Sequence, residues 1–132
     1  MLKTTDNPAT VPAPAGPYSH VVRLEVGGGA LLFVSGQVAL DERRELVGPG
    51  DMAAQARHVM DALGKILAAH GASYDDVVNI RSYLTDMGRR AEYGAVRAEY
   101  IKGEPPSSTT VEVSRLFVPG ALLEVELIAA VG

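Results

Sequence analysis

The chain has 132 residues, a length that suits one domain burying roughly two thirds of its unfolded surface and leaves no room for a second. Apolar residues make up 47% and charged residues 21%, which excludes a disordered chain, and aromatics at 5% leave the core to Val, Leu, Ile and Ala. The net charge is −4 and the densest basic groups are the pairs Arg43-Arg44 and Arg89-Arg90, so nucleic acid is not expected as a partner. No apolar run approaches the ~20 residues that a helix needs to span a bilayer, so no membrane partner is expected. Without cysteine there is no disulfide, thiolate nucleophile or Cys-held metal. The polar start Met1 to Asp6 has no apolar signal-peptide core, and a cytoplasmic protein is expected.

Residues 1–17 contain Pro8, Pro12, Pro14 and Pro17 and predict an extended lead-in to a single domain over 1–132. Val22, Leu24 and Val26 alternate with Arg23 and Glu25, the period of a half-buried strand. Gly27-Gly28-Gly29 then turns the chain into an apolar run, Ala30 to Val34, that predicts a hairpin partner buried on both faces and continuing to Leu40. Asp41 to Gly50 is a polar loop. A helix follows from about Asp51 to His70, with Met52, Ala56, Val59, Met60, Leu63, Ile66 and Leu67 on one stripe. Arg57/Asp61 and Asp61/Lys65 are spaced as i,i+4 ion pairs; Asp51 suits the N-cap and Gly71 the left-handed C′ position.

Val78, Ile80, Ser82 and Leu84 alternate with Asn79, Arg81 and Tyr83 in a third strand. Asp86 suits the cap of a second helix reaching about Lys102, ended by Gly103-Glu104-Pro105-Pro106. Thr109–Val113 and Leu122–Val131 predict the last two strands. The order β-β-α-β-α-β-β supplies helices for one face of one mixed sheet, an α+β fold. The other face then needs a cover, and self-association supplies one.

No cofactor motif is present. The three histidines His20, His58 and His70 do not converge as metal ligands should. Ser19-His20 leaves opposite faces of a strand, and the triple glycine lacks the lysine and helix of a phosphate loop. Paired carboxylates are the stronger lead. Glu124 and Glu126 share one face of the last strand, while Leu123, Val125 and Leu127 take the helix-packed face. A carboxylate buried by another subunit on that open face is expensive, and so a candidate for function.

Several weak signals occur in one order: Gly16-Pro17-Tyr18-Ser19, Phe33-Val34-Ser35-Gly36-Gln37, Gln55 on the long helix, Asp76-Val77-Val78, Tyr83-Leu84-Thr85-Asp86-Met87, Val111-Glu112-Val113, Arg115-Leu116 and Glu124-Val125-Glu126-Leu127-Ile128-Ala129. The ordered set, covering residues 12–130, resembles the RidA/YjgF family. The resemblance implies a chorismate-mutase-like homotrimer whose sheets form a central barrel, with a small-molecule cleft between subunits. It implies hydrolysis of imines and enamines to keto acids and ammonia. In it Glu124 holds or activates water, Tyr18 lines the cleft, and Ser35, Gly36 and Gln37 supply contacts from the third motif strand segment.

One position departs from the pattern. Active deaminases of this family carry an arginine that clamps the substrate carboxylate, and here Ser108 stands in its place within Pro106-Ser107-Ser108-Thr109. A hydroxyl cannot offer the bidentate, charged pair of a guanidinium. Gly94 likewise replaces the usual asparagine of the second helix. Simple 2-imino acids are therefore expected to be poor substrates unless the cleft uses the Ser108 and Thr109 hydroxyls for another ligand, or another arginine, Arg81 before Arg115, takes over. A non-catalytic metabolite-binding or chaperone-like role is the alternative to an imine hydrolase. The ribonuclease and translation-inhibitor role of some relatives fits the acidic balance less well.

Overall fold

Alternating apolar residues and one long amphipathic helix organise the chain, and the computed structural model describes all residues 1–132. The strands are β1 (Lys3–Asp6), β2 (Val21–Val26), β3 (Gly29–Gln37), β4 (Val77–Leu84), β5 (Ser107–Glu112) and β6 (Leu123–Val131). The helices are α1 (Met52–Ala69) and α2 (Arg90–Arg97), with 3₁₀ turns at Tyr74–Asp76 and Met87–Arg89. One mixed sheet runs in the order β1-β2-β3-β6-β4-β5, antiparallel throughout except for the parallel pair β4–β5. No helix is long and apolar enough to cross a membrane.

The sheet has two chemically different faces. Leu32, Val34, Ile80, Leu84, Leu123, Val125, Leu127 and Ala129 point to the helices and are buried with the α1 stripe Met52, Ala56, Val59, Met60, Leu63, Ile66 and Leu67. Asp51 caps α1, its side chain accepting from Ala54 N at 3.0 Å, and Gly71 has φ +72° just past the end. The opposite face carries Val22, Leu24, Leu31 and Phe33 on one side and Tyr83, Arg81, Glu124 and Glu126 on the other.

Five expectations are corrected. β3 is not buried on both faces: Phe33, on the helix-free side, is 40% exposed because nothing in a single chain covers it. β3 also ends at Gln37, where a register shift between Val34 and Gln37 breaks the ladder to β6. The lead-in contains a sixth strand, β1, whose four residues are all exposed and therefore carry no alternation to read. Asp86 caps the 3₁₀ turn through Gly88 N at 2.8 Å, and α2 stops at Arg97. Glycines at 88 and 94 weaken that stretch as a helix. The intrahelical pairs of α1 do not form either. Arg57 pairs with Glu99 at 3.0 Å and Asp61 accepts from Tyr100 Oη at 2.7 Å, so these groups join α1 to the turn after α2.

Gln55 holds the loops at one end of the sheet together. Fully buried, it donates to the carbonyls of Gly48 (3.1 Å) and Gly120 (3.2 Å) and accepts from Leu122 N (2.8 Å). It thereby ties two loops to the start of β6. Gln55→Leu leaves those three backbone groups without partners and should lose about 2–4 kcal/mol of stability in a urea titration.

Candidate functional site

β3 and β6 position a cavity of about 480 Å³ at the sheet end where β3 leaves the ladder. Its wall includes Tyr18, Ser35, Gly36, Gln37, Glu124 and Glu126, with the lead-in residues Pro12 to Pro17 on one side and His58 and Phe117 on others. The structure thus brings together Tyr18, the Ser35-Gly36-Gln37 segment and Glu124, as the sequence reading grouped them.

Hydrogen bonds fix the cavity wall to the sheet. His20 is buried; its Nε2 donates to the Pro12 carbonyl at 2.7 Å and its Nδ1 accepts from Gln37 Nε2 at 3.2 Å. The two ring nitrogens thus bridge the lead-in and the end of β3. Gln37 Nε2 also donates to Ser35 O at 3.2 Å, and Ser35 Oγ donates to Ser19 O at 2.6 Å. The lead-in is therefore stapled to β3, and Tyr18, whose Oη accepts from Ala15 N at 3.3 Å, stands at the mouth. Tyr18 packs edge-on against His20, ring centroids 6.4 Å apart.

Gly36 matters because it has no side chain. A Cβ placed on it would collide with the Glu124 carboxylate. The carboxylate therefore lies directly over the β3 backbone, half-buried. Burial pushes the Glu124 proton affinity above the ordinary 4.5, and the charge of Glu126 pushes it the same way. Glu126 is itself engaged, accepting a hydrogen bond from Tyr83 Oη. That bond, with burial second, raises the Tyr83 phenol above its usual value. One carboxylate is held by a partner, and the other has its proton affinity raised by burial and by that neighbour's charge.

The other predicted residues lie elsewhere. Arg81 is exposed on β4, paired in register with Glu126, and is not part of the cavity wall; neither is Arg115. Ser108 and Thr109 are neighbours on β5 and so leave opposite faces. Ser108 is level with the buried Ile80 on the helix side, and Thr109 is level with Arg81 on the open side. One chain cannot bring both hydroxyls to one ligand. His58, read as a polar-face residue, bonds the Leu40 carbonyl at 2.8 Å and lines the cavity. Phe117, 68% exposed, reaches the same wall from the loop before β6. Neither had a sequence signal, since their positions follow from the paths of two loops.

These features describe a class of two-layer α+β domains with a carboxylate set over a glycine at a cavity. Comparison with known proteins narrows the class. The family model described as endoribonuclease L-PSP matches residues 8–131. A RutC family protein of Sulfurisphaera tokodaii is 40% identical over 121 residues, covering 92% of this chain and 93% of that one. The 3-aminoacrylate deaminase RutC of Acinetobacter baylyi is 35% identical over 131 residues, 99% and 100% of the two chains. The crystal structure of a conserved Rid-family protein of unknown function, YyfA from Yersinia pestis, superposes with a TM-score of 0.87 at 31% identity, covering 98% of this chain and all of that one. The chain belongs to the RidA/YjgF family, the endoribonuclease L-PSP proteins.

The raised proton affinity of Glu124 has a sign that can be tested. A carboxyl whose folded value lies above its unfolded one favours folding at low pH, and that contribution is lost as pH rises through the folded value. Glu124→Gln removes the buried charge, so the variant should unfold at a higher temperature than the wild type at pH 8. The difference should shrink toward pH 4. A variant no more stable at pH 8 would mean that the carboxylate is not desolvated. Gly36→Ala should push the carboxylate into water and return its titration, followed by NMR, toward that of an ordinary glutamate.

Proposed function

We propose that the chain is an imine or enamine hydrolase of the deaminase type, working as a homotrimer with its ligand cleft between subunits. The observation that carries the reading is Glu124, a carboxylate of raised proton affinity held in a cavity against Gly36. The A. baylyi relative named as a 3-aminoacrylate deaminase supports the reaction class. Uncovered Phe33 beside Val22, Leu24 and Leu31 supports self-association through the helix-free face.

The chemistry follows from one carboxyl group acting twice. Glu124 as carboxylate takes a proton from water as the water oxygen attacks the imine carbon, and returns that proton to the nitrogen, giving a tetrahedral aminoalcohol. The same carboxylate then takes the hydroxyl proton and passes it to the amino group, so that the carbon–nitrogen bond breaks, ammonia departs and the carbon–oxygen double bond forms. An enamine enters the same path once a proton is added at its terminal carbon. Water, imine, keto compound and ammonia balance, with no oxidant or external acid consumed. A raised proton affinity suits both halves, since the same group must accept and then donate near neutral pH. Tyr18 and the walls from Pro12 to Pro17 shape the space around the reacting carbon.

Release of ammonia across a panel of imines generated in solution tests the reading, and Glu124→Gln should lower the rate by roughly two to four orders of magnitude. Because the charge of Glu126 raises the Glu124 proton affinity, Glu126→Gln should move the acid limb of the pH–rate profile to lower pH. Light scattering should give a trimer at micromolar concentration; a stable monomer would remove the cleft. Wild-type protein that binds keto acids but hydrolyses no imine would leave a metabolite-binding role.

A further inference from the structure

A second charged group, outside the cavity, lies on the opposite side of the sheet from Glu124. Arg97, half-buried at the end of α2, donates from Nη2 to Ser108 Oγ at 3.1 Å, and its guanidinium carbon lies 5.9 Å from the centre of the Tyr93 ring. Tyr93 is buried and shares a 2.6 Å hydrogen bond with the buried Ser82 hydroxyl of β4. The guanidinium is thus fixed at two points on a rigid support. Yet Arg97 takes part in none of the chain's ion pairs, which engage Arg23, Arg57, His70 and Arg89. A side chain as mobile as arginine, held in place but given no carboxylate, presents its remaining N–H donors in a geometry that suits a carboxylate. It stands beside β5, the edge strand of the sheet.

We infer that Arg97 is the anion-recognition residue of this protein and that it holds the carboxylate of a small imino or enamino acid whose reacting carbon is served by Glu124 of a neighbouring subunit. The inference rests on the hydrolase reading for the second half of that statement. Its geometry rests on the sheet. Ser108 is level with Ile80 and Leu127 on the helix side, whereas Glu124 is level with Tyr83 on the open side. A small molecule cannot touch both groups of one chain through a sheet, so a ligand that meets both takes one from each of two copies. The charge missing at position 108 is then supplied from α2, with Ser108 as the hydrogen-bond acceptor that aims it. Arg81 and Arg115 are not needed. Acids rather than neutral imines are the substrates.

Binding and turnover separate this inference from the reading beneath it. Calorimetric titration with pyruvate, the keto acid formed from the imine of alanine, requires no catalysis. Arg97→Ala should weaken pyruvate binding about a hundredfold and Arg97→Lys about tenfold. Arg90→Ala, the same charge change on the same helix, should leave it unchanged. Undiminished pyruvate binding by Arg97→Ala would overturn the assignment, whether or not the wild type hydrolyses imines. In turnover, Arg97→Ala should raise KM for the imine of alanine and leave KM for the imine of alaninamide unchanged. Trimers assembled from equal parts of Glu124→Gln and Arg97→Ala chains should regain about a quarter of the wild-type sites, since each rebuilt site draws its two residues from different chains. Mixed trimers as inactive as their parents would overturn the placement of Arg97 across the interface.

Discussion

The register of β6 is the constraint on which the rest of this molecule depends. Leu123, Val125, Leu127 and Ala129 enter the core while Glu124 and Glu126 emerge on the other face, with β3 and β4 hydrogen-bonded on either side. A slip of one residue would drive both carboxylates under the helices and lift four apolar side chains out. Burying two unpaired charges is far costlier than any alternative packing, so the strand has one place to sit. Everything at the site inherits that precision. Glu124 reaches Gly36 because β3 is paired to β6 in one register up to Val34 and in a shifted one at Gln37. The shift frees the Ser35-Gly36 backbone to pass beneath the carboxylate.

Much of this was legible in the chain itself. The α1 stripe, the alternation of β4 and β6 and the separation of glutamates from leucines are strong periodic signals, and they defined the fold class and the carboxylate face. The ordered short motifs grouped Tyr18, Ser35, Gly36, Gln37 and Glu124, which the fold does bring to one cavity. Where periodicity is missing, the sequence is silent. β1 is exposed on every residue, and the turn-helix-turn from Met87 to Tyr100 mixes hydrogen-bonding patterns that no single period describes. Arg97 escaped notice for a different reason. Its contact with Ser108 depends on where α2 is laid across β5, a tertiary fact that neither segment encodes alone.

The polar network around His20 shows how a loop can be given the precision of a strand. A lead-in with prolines at 8, 12, 14 and 17 cannot join the sheet over its whole length, because proline lacks the N–H a ladder needs. The His20 imidazole between the Pro12 carbonyl and the Gln37 amide substitutes for ladder bonds. Asn7 adds another, its side-chain oxygen accepting from His20 N at 2.9 Å. Farther out, His70 at the end of α1 meets Asp6 of β1 at 2.9 Å, so the edge strand is tied to the helix layer as well. The wall carrying Tyr18 is thereby held at both ends.

Electrostatics explains why the base and the cation of such a site belong on opposite faces of the sheet. A guanidinium beside Glu124 in the same chain would pair with it, lower its proton affinity and leave a carboxylate too weak to take a proton from water. Only burial and the like charge of Glu126 act appreciably on Glu124, and both act upward. Arg81, the nearest candidate by register, is level with Glu126 instead, and Glu126 is already bonded to Tyr83. Placing the cation on α2 keeps it off the base within each chain. In the proposed trimer the two charges meet at a shared cleft with a substrate between them, its carboxylate on the guanidinium and its imine carbon toward the glutamate. In that proposed arrangement the anionic end of the substrate would neutralise the arginine that would otherwise weaken the base, so the proton affinity of Glu124 would be preserved when it is used.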